Sequence, residues 1–265
     1  MEIIVLIKQV PETSNVKMDD KTGTMVREGV ESIINPLDLY AIETGLQLRE
    51  KWGGLVTVIS MGPPNAEKAI KEAMAMGCDK GILLTGKEFA GSDTWATSYA
   101  LSRAVLKNGK FDLILCGERA TDGDTGQVGP GVASFLDIPL ATYVSAIDSI
   151  GDMMIVVERL VEGGYEKVRM EIPALLTVVK EISFPRLPTL RGKQKAKKNV
   201  VPNWGADDAG IETNKTGLNG SPTRVVKIET PKITRGGKIV FARDEESASR
   251  AVEELVQFLA ARELI

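Results

Sequence analysis

Four short apolar runs, separated by segments with helical periodicity, constrain the fold of this chain more than any other feature of its sequence. The runs, each typical of a buried β-strand, are residues 2–7, 55–60, 81–84 and 111–116. The segments predicted to be helical are residues 35–51, 65–77, 93–108 and a stretch after Gly126 that ends before Pro139. Strands that alternate with helices through linkers of a few residues predict an α/β fold on a doubly wound, mostly parallel sheet.

The second half of the chain follows a different pattern. Residues 153–160 and 165–172 alternate around Glu162-Gly163-Gly164, which predicts an antiparallel hairpin. Residues 183–199 lose all periodicity and hold six cations between residues 186 and 198. Such a run is either a solvated loop or a docking surface for an acidic partner.

The remaining segments are predicted from composition. Residues 15–33 read as a surface hairpin or excursion, and Asn35 as the N-cap of the helix that follows. Residues 200–222 are rich in Gly, Asn and Asp and predict an extended arm, and residues 225–228 an edge strand. Residues 246–264 predict a final amphipathic helix, which packs either on another subunit or back on its own sheet.

The loop GERATDGDTGQVGP, residues 117–130, is the part of the sequence that indicates a binding site. A strand, a polar loop with glycines and a helix N-terminus form the usual anion and nucleotide site of an open α/β sheet. Glycines let the backbone approach a ligand, and N–H groups of the first helical turn can point at phosphate. The Gly-Lys-Ser/Thr ending of a P-loop does not occur in this stretch.

Two carboxylates in this loop need an explanation, because Asp122 and Asp124 would repel a phosphate that they faced. They are expected to cap backbone or to hold ribose and base, which leaves phosphate to N–H groups and to the hydroxyl of Thr121 or Thr125. A purely structural alternative is a capping box formed by Asp124 and Gln127.

The amino-acid composition limits the kinds of catalysis and binding that the chain can perform. The 265 residues include no histidine, which excludes Ser-His-Asp and Cys-His catalysis and removes the commonest metal ligand, so neither a catalytic side chain nor a metal site is expected. A bound cofactor would then supply the reactive atoms. A net charge of -3 does not favour binding of nucleic acid through overall charge. No apolar run is long enough to span a membrane and no signal peptide is seen, so a cytoplasmic protein with buried free thiols at Cys78 and Cys116 is expected.

The chain resembles the β subunit of electron-transfer flavoproteins along nearly its whole length. The matching stretches are IIVLIKQVPET, INPLDLYAIETGLQL, ISMGPPNAEKAIKEAMAMGCDKGI, CGERATDGDTGQVGP and PRLPTLRGKQKAKKN. The resemblance implies a heterodimer with a larger α subunit that carries an FAD. It also implies a Rossmann-like adenine-nucleotide-binding domain over residues 1–182, a partner recognition loop over 183–199, and an arm and helix over 200–265 that embrace the α subunit.

Two forms of this family differ in what the β subunit holds. In the ordinary form an AMP has a structural role, whereas in the electron-bifurcating form a second FAD takes hydride from NADH and splits the electron pair. The loop here is similar to the bifurcating form, which favours D-G-D-T followed by Q-V-G, although Gly126 stands where Ala is common. The resemblance therefore implies FAD, with AMP as the alternative. A stand-alone ATP-binding signalling protein on the same fold is a third reading.

The resemblance also implies the site residues. The adenine-nucleotide contacts are Leu6, Asn35, Pro36, Leu37, Asp38, Met61, Gly117, Ala120, Thr121, Asp122, Gly123, Asp124, Thr125, Gly126, Gln127 and Val128. Ala120 and Asp122 are expected to hold adenosine, and Thr125, Gln127 and Val128 to approach phosphate. The recognition loop is expected to present Leu190 as an apolar anchor among Arg191, Lys193 and Lys195. The partners implied are an acyl-CoA dehydrogenase-type or quinone-linked acceptor and a ferredoxin or flavodoxin.

Overall fold

The computed structural model describes residues 1–12, 32–226 and 239–265. The chain divides into two units, Met1–Val226 and Lys227–Ile265. The first unit contains the sheet, its flanking helices and both hydrophobic clusters.

A nine-stranded sheet forms the centre of the first unit. Its strands are β1 (Glu2–Leu6), β4 (Leu55–Met61), β5 (Lys80–Leu84), β6 (Leu113–Gly117), β7 (Leu140–Gly151), β8 (Met154–Val161), β9 (Gly164–Glu171), β10 (Ala174–Val178) and β11 (Asn203–Trp204). Two further strands, β2 (Gln9–Pro11) and β3 (Ser32–Ile34), pair with each other antiparallel.

The strand order is β11-β5-β4-β1-β6-β10-β7-β8-β9. Every pair from β11 to β7 is parallel, and only β7–β8 and β8–β9 are antiparallel. Strands buried on both faces consist mainly of apolar residues, as the runs in β1, β6 and β10 show. The predicted mostly parallel sheet and the predicted antiparallel hairpin are both confirmed.

Helices cover the two faces of this sheet. The first unit contains helices α1 (Asp38–Trp52), α2 (Glu67–Met76), α3 (Thr94–Asn108), α4 (Val128–Leu136), α5 (Leu190–Lys198) and α6 (Gly217–Gly220), and the second unit contains α7 (Glu245–Ala260). Helices α1 and α2 and one residue of α5, Ala196, bury apolar side chains on one face of the sheet. Helices α3 and α4 do so on the other face, which makes the sheet doubly wound.

Two segments predicted to be irregular are ordered parts of the first unit. Residues 190–198 form helix α5. Its N-cap is Thr189, whose hydroxyl accepts a hydrogen bond from Gly192 N. Within residues 200–222, strand β11 pairs with β5, and Ala206, Ala209 and Ile211 are buried. The predicted arm starts at residue 200, whereas the division between the units falls after Val226.

Two predictions fall partly on residues outside the described ranges. Most of the predicted excursion at 15–33 lies there, and its described end, Ser32–Ile34, is strand β3. Of the predicted edge strand at 225–228, only Val225 and Val226 are described, and neither is in a strand.

The second unit contains helix α7, close to the predicted amphipathic helix. The side chain of Asp244 accepts a hydrogen bond from Ser247 N, and Ser247 completes a capping box. None of the residues of α7 is buried, and Val252, Leu255 and Phe258 are each more than half exposed. This apolar face is of the kind that packs against another surface.

Candidate functional site

A crevice lies where the strand order of the parallel sheet reverses direction, between β1 and β6. The chain leaves β1 for helix α1 on one face and leaves β6 for helix α4 on the other. Ligands of open α/β sheets bind at such a point, outside the carboxyl ends of the strands. The crevice is bordered by Lys8, by residues 35–38 and by the loop of residues 117–127.

Asn35 joins the two sides of this crevice. Its Nδ2 donates to Arg119 O at 2.9 Å, and its Oδ1 accepts from Thr121 N at 3.2 Å. Its backbone N–H donates to Lys8 O at 2.8 Å. The predicted N-cap role is wrong, because helix α1 begins after Leu37 and the Asn35 side chain holds the opposite loop instead.

Asp38 lies beneath the crevice and is 5% exposed. One carboxylate oxygen accepts from Lys8 N at 2.7 Å and the other from Gly117 N at 3.1 Å. Burial raises the pKa of Asp38 to about 7, although the hydrogen bonds from Lys8, Asn35 and Gly117 act to lower it. Both oxygens are therefore engaged by the backbone of neighbouring strand ends.

Two cations pair with the three carboxylates of the loop, and Arg119 serves two of them, since its Nε also lies 3.7 Å from Glu118 Oε1. Asp122 Oδ1 lies 2.7 Å from Lys8 Nζ, and Asp124 Oδ1 lies 3.2 Å from Arg119 Nη1. These pairs offset the repulsion that unpaired carboxylates would exert on a phosphate.

The capping box expected from Asp124 and Gln127 is not formed. Asp124 adopts a left-handed conformation with φ of 53° and pairs with Arg119. The side-chain oxygen of Gln127 accepts from Thr94 Oγ1 at 2.9 Å, and no described side chain caps the first turn of helix α4. In that turn Pro130 has no N–H and Gly131 N donates to Gln127 O, which leaves the N–H groups of Val128 and Gly129 for another acceptor.

The predicted site residues meet in two groups. Residues 35–38 and 117–128 border the crevice itself, and Asn35 and Asp38 connect them by hydrogen bonds. Leu6 and Met61 end the adjacent strands β1 and β4, where Leu6 is buried in the second hydrophobic cluster and Met61 packs against it.

Two cations at the crevice were missed from the sequence. Lys8 directly follows a predicted central strand, which is the position that faces such a crevice, so its place in the chain was an available signal. Arg119 lies within the predicted loop, but only its ion pair with Asp124 shows its role.

The crevice has features that fit an adenine nucleotide. A Cβ added to Gly123 would meet no described atom within 4 Å, so the loop leaves open space there. Gly126 has a φ of +61°, a conformation that side chains rarely adopt. Gly117 must stay small, because an added Cβ would lie 2.6 Å from Asp38 Oδ1.

The two cysteines are not paired with each other. Cys78 and Cys116 are free and buried, and burial raises the pKa of the Cys78 thiol to about 12. The described residues contain no group of three or more His, Cys, Asp or Glu side chains arranged to hold a metal ion. No described helix combines the length and apolarity needed to cross a bilayer.

Residues 183–199, the segment predicted to recognise partners, contact helices α1 and α2. The guanidinium group of Arg186 binds the carboxylates of Glu43 and Glu50 on helix α1, with N–O distances between 2.6 and 3.1 Å. At Gly192, an added Cβ would lie 2.1 Å from Ala75 O, so helix α5 lies very close to α2. Phe184, Leu187 and Leu190 are 90%, 85% and 82% exposed, respectively.

The comparisons with known proteins agree with this architecture. The model of the electron transfer flavoprotein domain matches residues 22–209. A relative named electron transfer flavoprotein subunit beta, from Thermoanaerobacterium thermosaccharolyticum, is 49% identical and is covered over 100% of both chains. The caffeyl-CoA reductase-Etf complex subunit CarD of Acetobacterium woodii is 44% identical over 91% of this chain and 92% of its own length. Protein FixA of Sinorhizobium fredii is 41% identical over 99% of this chain and 95% of its own. The chain therefore belongs to the electron transfer flavoprotein family, as one of its β subunits.

Proposed function

We propose that the crevice between β1 and β6 holds an FAD and that the α–β heterodimer oxidises NADH and divides the electron pair. One electron goes to a high-potential acceptor through the FAD of the α subunit, and the other to a low-potential acceptor, ferredoxin or flavodoxin. The alternative is a β subunit that holds AMP in the same crevice and has a structural role only. The heterodimer is proposed to work in the cytoplasm.

The observation that carries this proposal is the open, uncapped loop at the reversal point of the sheet. Gly123 has free space around it, and the first turn of α4 has N–H groups without a described side-chain acceptor. Ala120 and Asp122 are proposed to hold the adenosine, and the backbone at Thr125 and Gln127 the phosphates. A bound FAD would supply hydride acceptance and single-electron transfer, which amino-acid side chains do not provide.

The chain's own residues have a defined part in this proposal. Asn35 and Asp38 hold the two sides of the crevice together through the hydrogen bonds described above. Lys8 and Arg119 reduce the repulsion that the three loop carboxylates, Glu118, Asp122 and Asp124, would exert on a pyrophosphate. These residues bind and orient, and no side chain is assigned a proton transfer.

Partner binding is assigned to two surfaces. The apolar side chains Phe184, Leu187 and Leu190 stand beside Arg191, Lys193 and Lys195, an arrangement that suits an apolar pocket with an acidic rim. The name of the Acetobacterium woodii relative places that protein in a complex with caffeyl-CoA reductase, which favours an acyl-CoA dehydrogenase-type partner over a quinone-linked one. The exposed apolar face of helix α7 is proposed to pack on the α subunit.

The test is to co-express the chain with its α subunit and count bound cofactors. Extraction followed by chromatography is expected to give two FAD molecules per heterodimer. One FAD and one AMP would establish the AMP alternative, and no nucleotide in the β subunit would refute both.

A variant assigns the second cofactor to this crevice. Asp122→Ala is expected to lower the nucleotide content of the β subunit, whereas Asp207→Ala, which changes an exposed aspartate remote in sequence from the loop, is expected to leave it unchanged. Equal nucleotide content in the two variants would remove Asp122 from the site.

A further inference from the structure

A buried carboxylate joins the ends of the two strands that flank the crevice. Asp38 accepts hydrogen bonds from Lys8 N, just beyond β1, and from Gly117 N, the last residue of β6. It is the first residue of helix α1, and only 5% of it is exposed. Its two oxygens are thus used inside the protein.

The two residues that Asp38 holds are those that begin the walls of the crevice. Lys8 carries the ammonium group that pairs with Asp122 across the crevice at 2.7 Å. Gly117 begins the loop that Asn35 holds through Arg119 O and Thr121 N. A change in the separation of Lys8 and Gly117 would therefore move both walls.

We infer that Asp38 positions the walls of the nucleotide crevice, without touching the nucleotide, by holding Lys8 N and Gly117 N on its two carboxylate oxygens. The inference rests on the proposed function, since it assumes that an adenine nucleotide binds between these walls. It assigns Asp38 a role different from the direct contact that family resemblance implies. The close approach of Gly117 supports it, because any side chain there would collide with the carboxylate.

This role predicts a dependence on pH. An ionised carboxylate can accept from both N–H groups, whereas a protonated one places a hydroxyl donor against one of them, so one hydrogen bond is lost. Because burial raises the pKa of Asp38 to about 7, this change occurs near neutral pH. The affinity for nucleotide is expected to fall as the pH drops from about 8 to about 6.

The titration of the other ionisable groups near Asp38 can be distinguished from that of Asp38. Lys8 presents its ammonium group from the β1 side, and burial raises the pKa of the Cys116 thiol on β6, which keeps that thiol neutral in this range. Burial also raises the pKa of Glu118 in the adjoining loop. A Glu118→Gln variant therefore shows which of the two carboxyl groups produces the pH profile.

The experiment measures binding of ADP-ribose to the heterodimer from which bound nucleotide has been removed, by calorimetry between about pH 6 and pH 8. ADP-ribose is chosen because its diesterified pyrophosphate does not titrate in this range, whereas a phosphomonoester such as AMP titrates at about pH 6. In the unmodified protein, the dissociation constant is expected to rise about tenfold on acidification, the effect of one charge-assisted hydrogen bond. The Glu118→Gln variant is expected to keep this profile.

Asp38→Asn is expected to bind about tenfold more weakly at pH 8 and to show a flat profile, since an amide has only one acceptor oxygen and does not titrate. The matched control is Asp112→Asn, because Asp112 Oδ2 accepts from Glu2 N at 2.7 Å and so joins the same two strands at their opposite ends. That control is expected to keep both affinity and profile.

The outcomes separate this inference from the proposed function. A flat profile in the unmodified protein, with ADP-ribose bound, would overturn the role of Asp38 alone, and this reading does not require any variant to fold. A profile in Asp38→Asn equal to that of the unmodified protein would do the same. No binding at any pH would overturn the proposed function and this inference together.

Discussion

Replacing Arg186 by methionine tests how residues 183–199, which are proposed to bind partners, are attached to the body of the protein. In the structure, Nε and Nη2 of Arg186 donate to the two carboxylate oxygens of Glu43 at 2.8 and 2.9 Å. Glu43 is 4% exposed, whereas the side chain of Glu50, the second partner, is 50% exposed. Most of the stabilisation therefore comes from the pair with Glu43.

The magnitude follows from what the variant leaves behind. Removing one partner of a buried ion pair costs about 3–5 kcal/mol, because the other charge stays buried without a counterion. In Arg186→Met, Glu43 would keep hydrogen bonds from Gln47 Nε2 at 3.0 Å and from the backbone N–H of residue 186 at 3.1 Å. We therefore expect a loss near the lower limit, about 3 kcal/mol, which lowers Tm by roughly 6 to 12 °C in a chain of this size.

The pH dependence of this loss has a defined sign. Burial acts to raise the pKa of Glu43, but the hydrogen bonds from Arg186 outweigh it and hold that pKa below its ordinary value of 4.5. A carboxyl group whose pKa is lowered by folding stabilises the protein above its ordinary pKa, and the stabilisation is lost as the pH falls through the folded value. The difference in unfolding free energy between the unmodified protein and Arg186→Met is therefore expected to shrink below about pH 4.5.

The assay is urea unfolding followed by circular dichroism, with hydrogen exchange at residues 183–190 as a local readout. Adding Glu43→Gln to Arg186→Met is expected to restore most of the loss, because the buried charge is then removed. Arg191→Met is the control, since Arg191 lies in the same segment and forms no ion pair among the described residues. A loss below about 1 kcal/mol, typical of a surface pair, would refute the reasoning.

Two further substitutions test the attachment of other segments. Gly192→Ala places a Cβ 2.1 Å from Ala75 O, so helix α5 must move away from α2. The expected loss of stability is about 1–3 kcal/mol, measured by thermal unfolding. Lys193→Ala is the control, because Ala at Gly163 would be strained by the φ of +89° at that position. Asp93→Ala removes the N-cap of α3 and the acceptor for Thr223 N and Oγ1, at 2.9 and 2.7 Å. It is expected to cost about 0.5–2 kcal/mol and to speed hydrogen exchange at residues 217–223, and unchanged exchange there would show that Thr223 is held by other contacts.

The loop of residues 117–127 shows how far local sequence reasoning extends. A strand, a glycine-containing loop and a helix were predicted there from hydrophobic periodicity and glycine placement, and the structure contains all three. These features depend on residues a few positions apart, which a sequence displays directly. The pairing of Asp122 with Lys8 joins residues 114 positions apart, and nothing local indicates it.

Asn35 and residues 190–198 show where the same reasoning failed. Asn is a residue type that is common at N-caps, which is why that role was predicted for Asn35. A buried amide must be hydrogen-bonded, and the partners of the Asn35 amide lie in the opposite loop. Residues 190–198 carry few apolar side chains, so periodicity did not indicate helix α5; it is stabilised by packing of Gly192 and Ala196 on another helix.

By itself the sequence determined the α/β class, the parallel sheet, the position of the loop of residues 117–127 and the family, because all of these follow from patterns along the chain. The tertiary structure alone decided that Asp38 joins two strand ends, that two cations pair with the three loop carboxylates, and that Arg186 binds Glu43 and Glu50 on helix α1. The physical reason is that hydrogen bonds and ion pairs act over a few ångströms in space, and only folding brings residues so far apart in sequence to that distance.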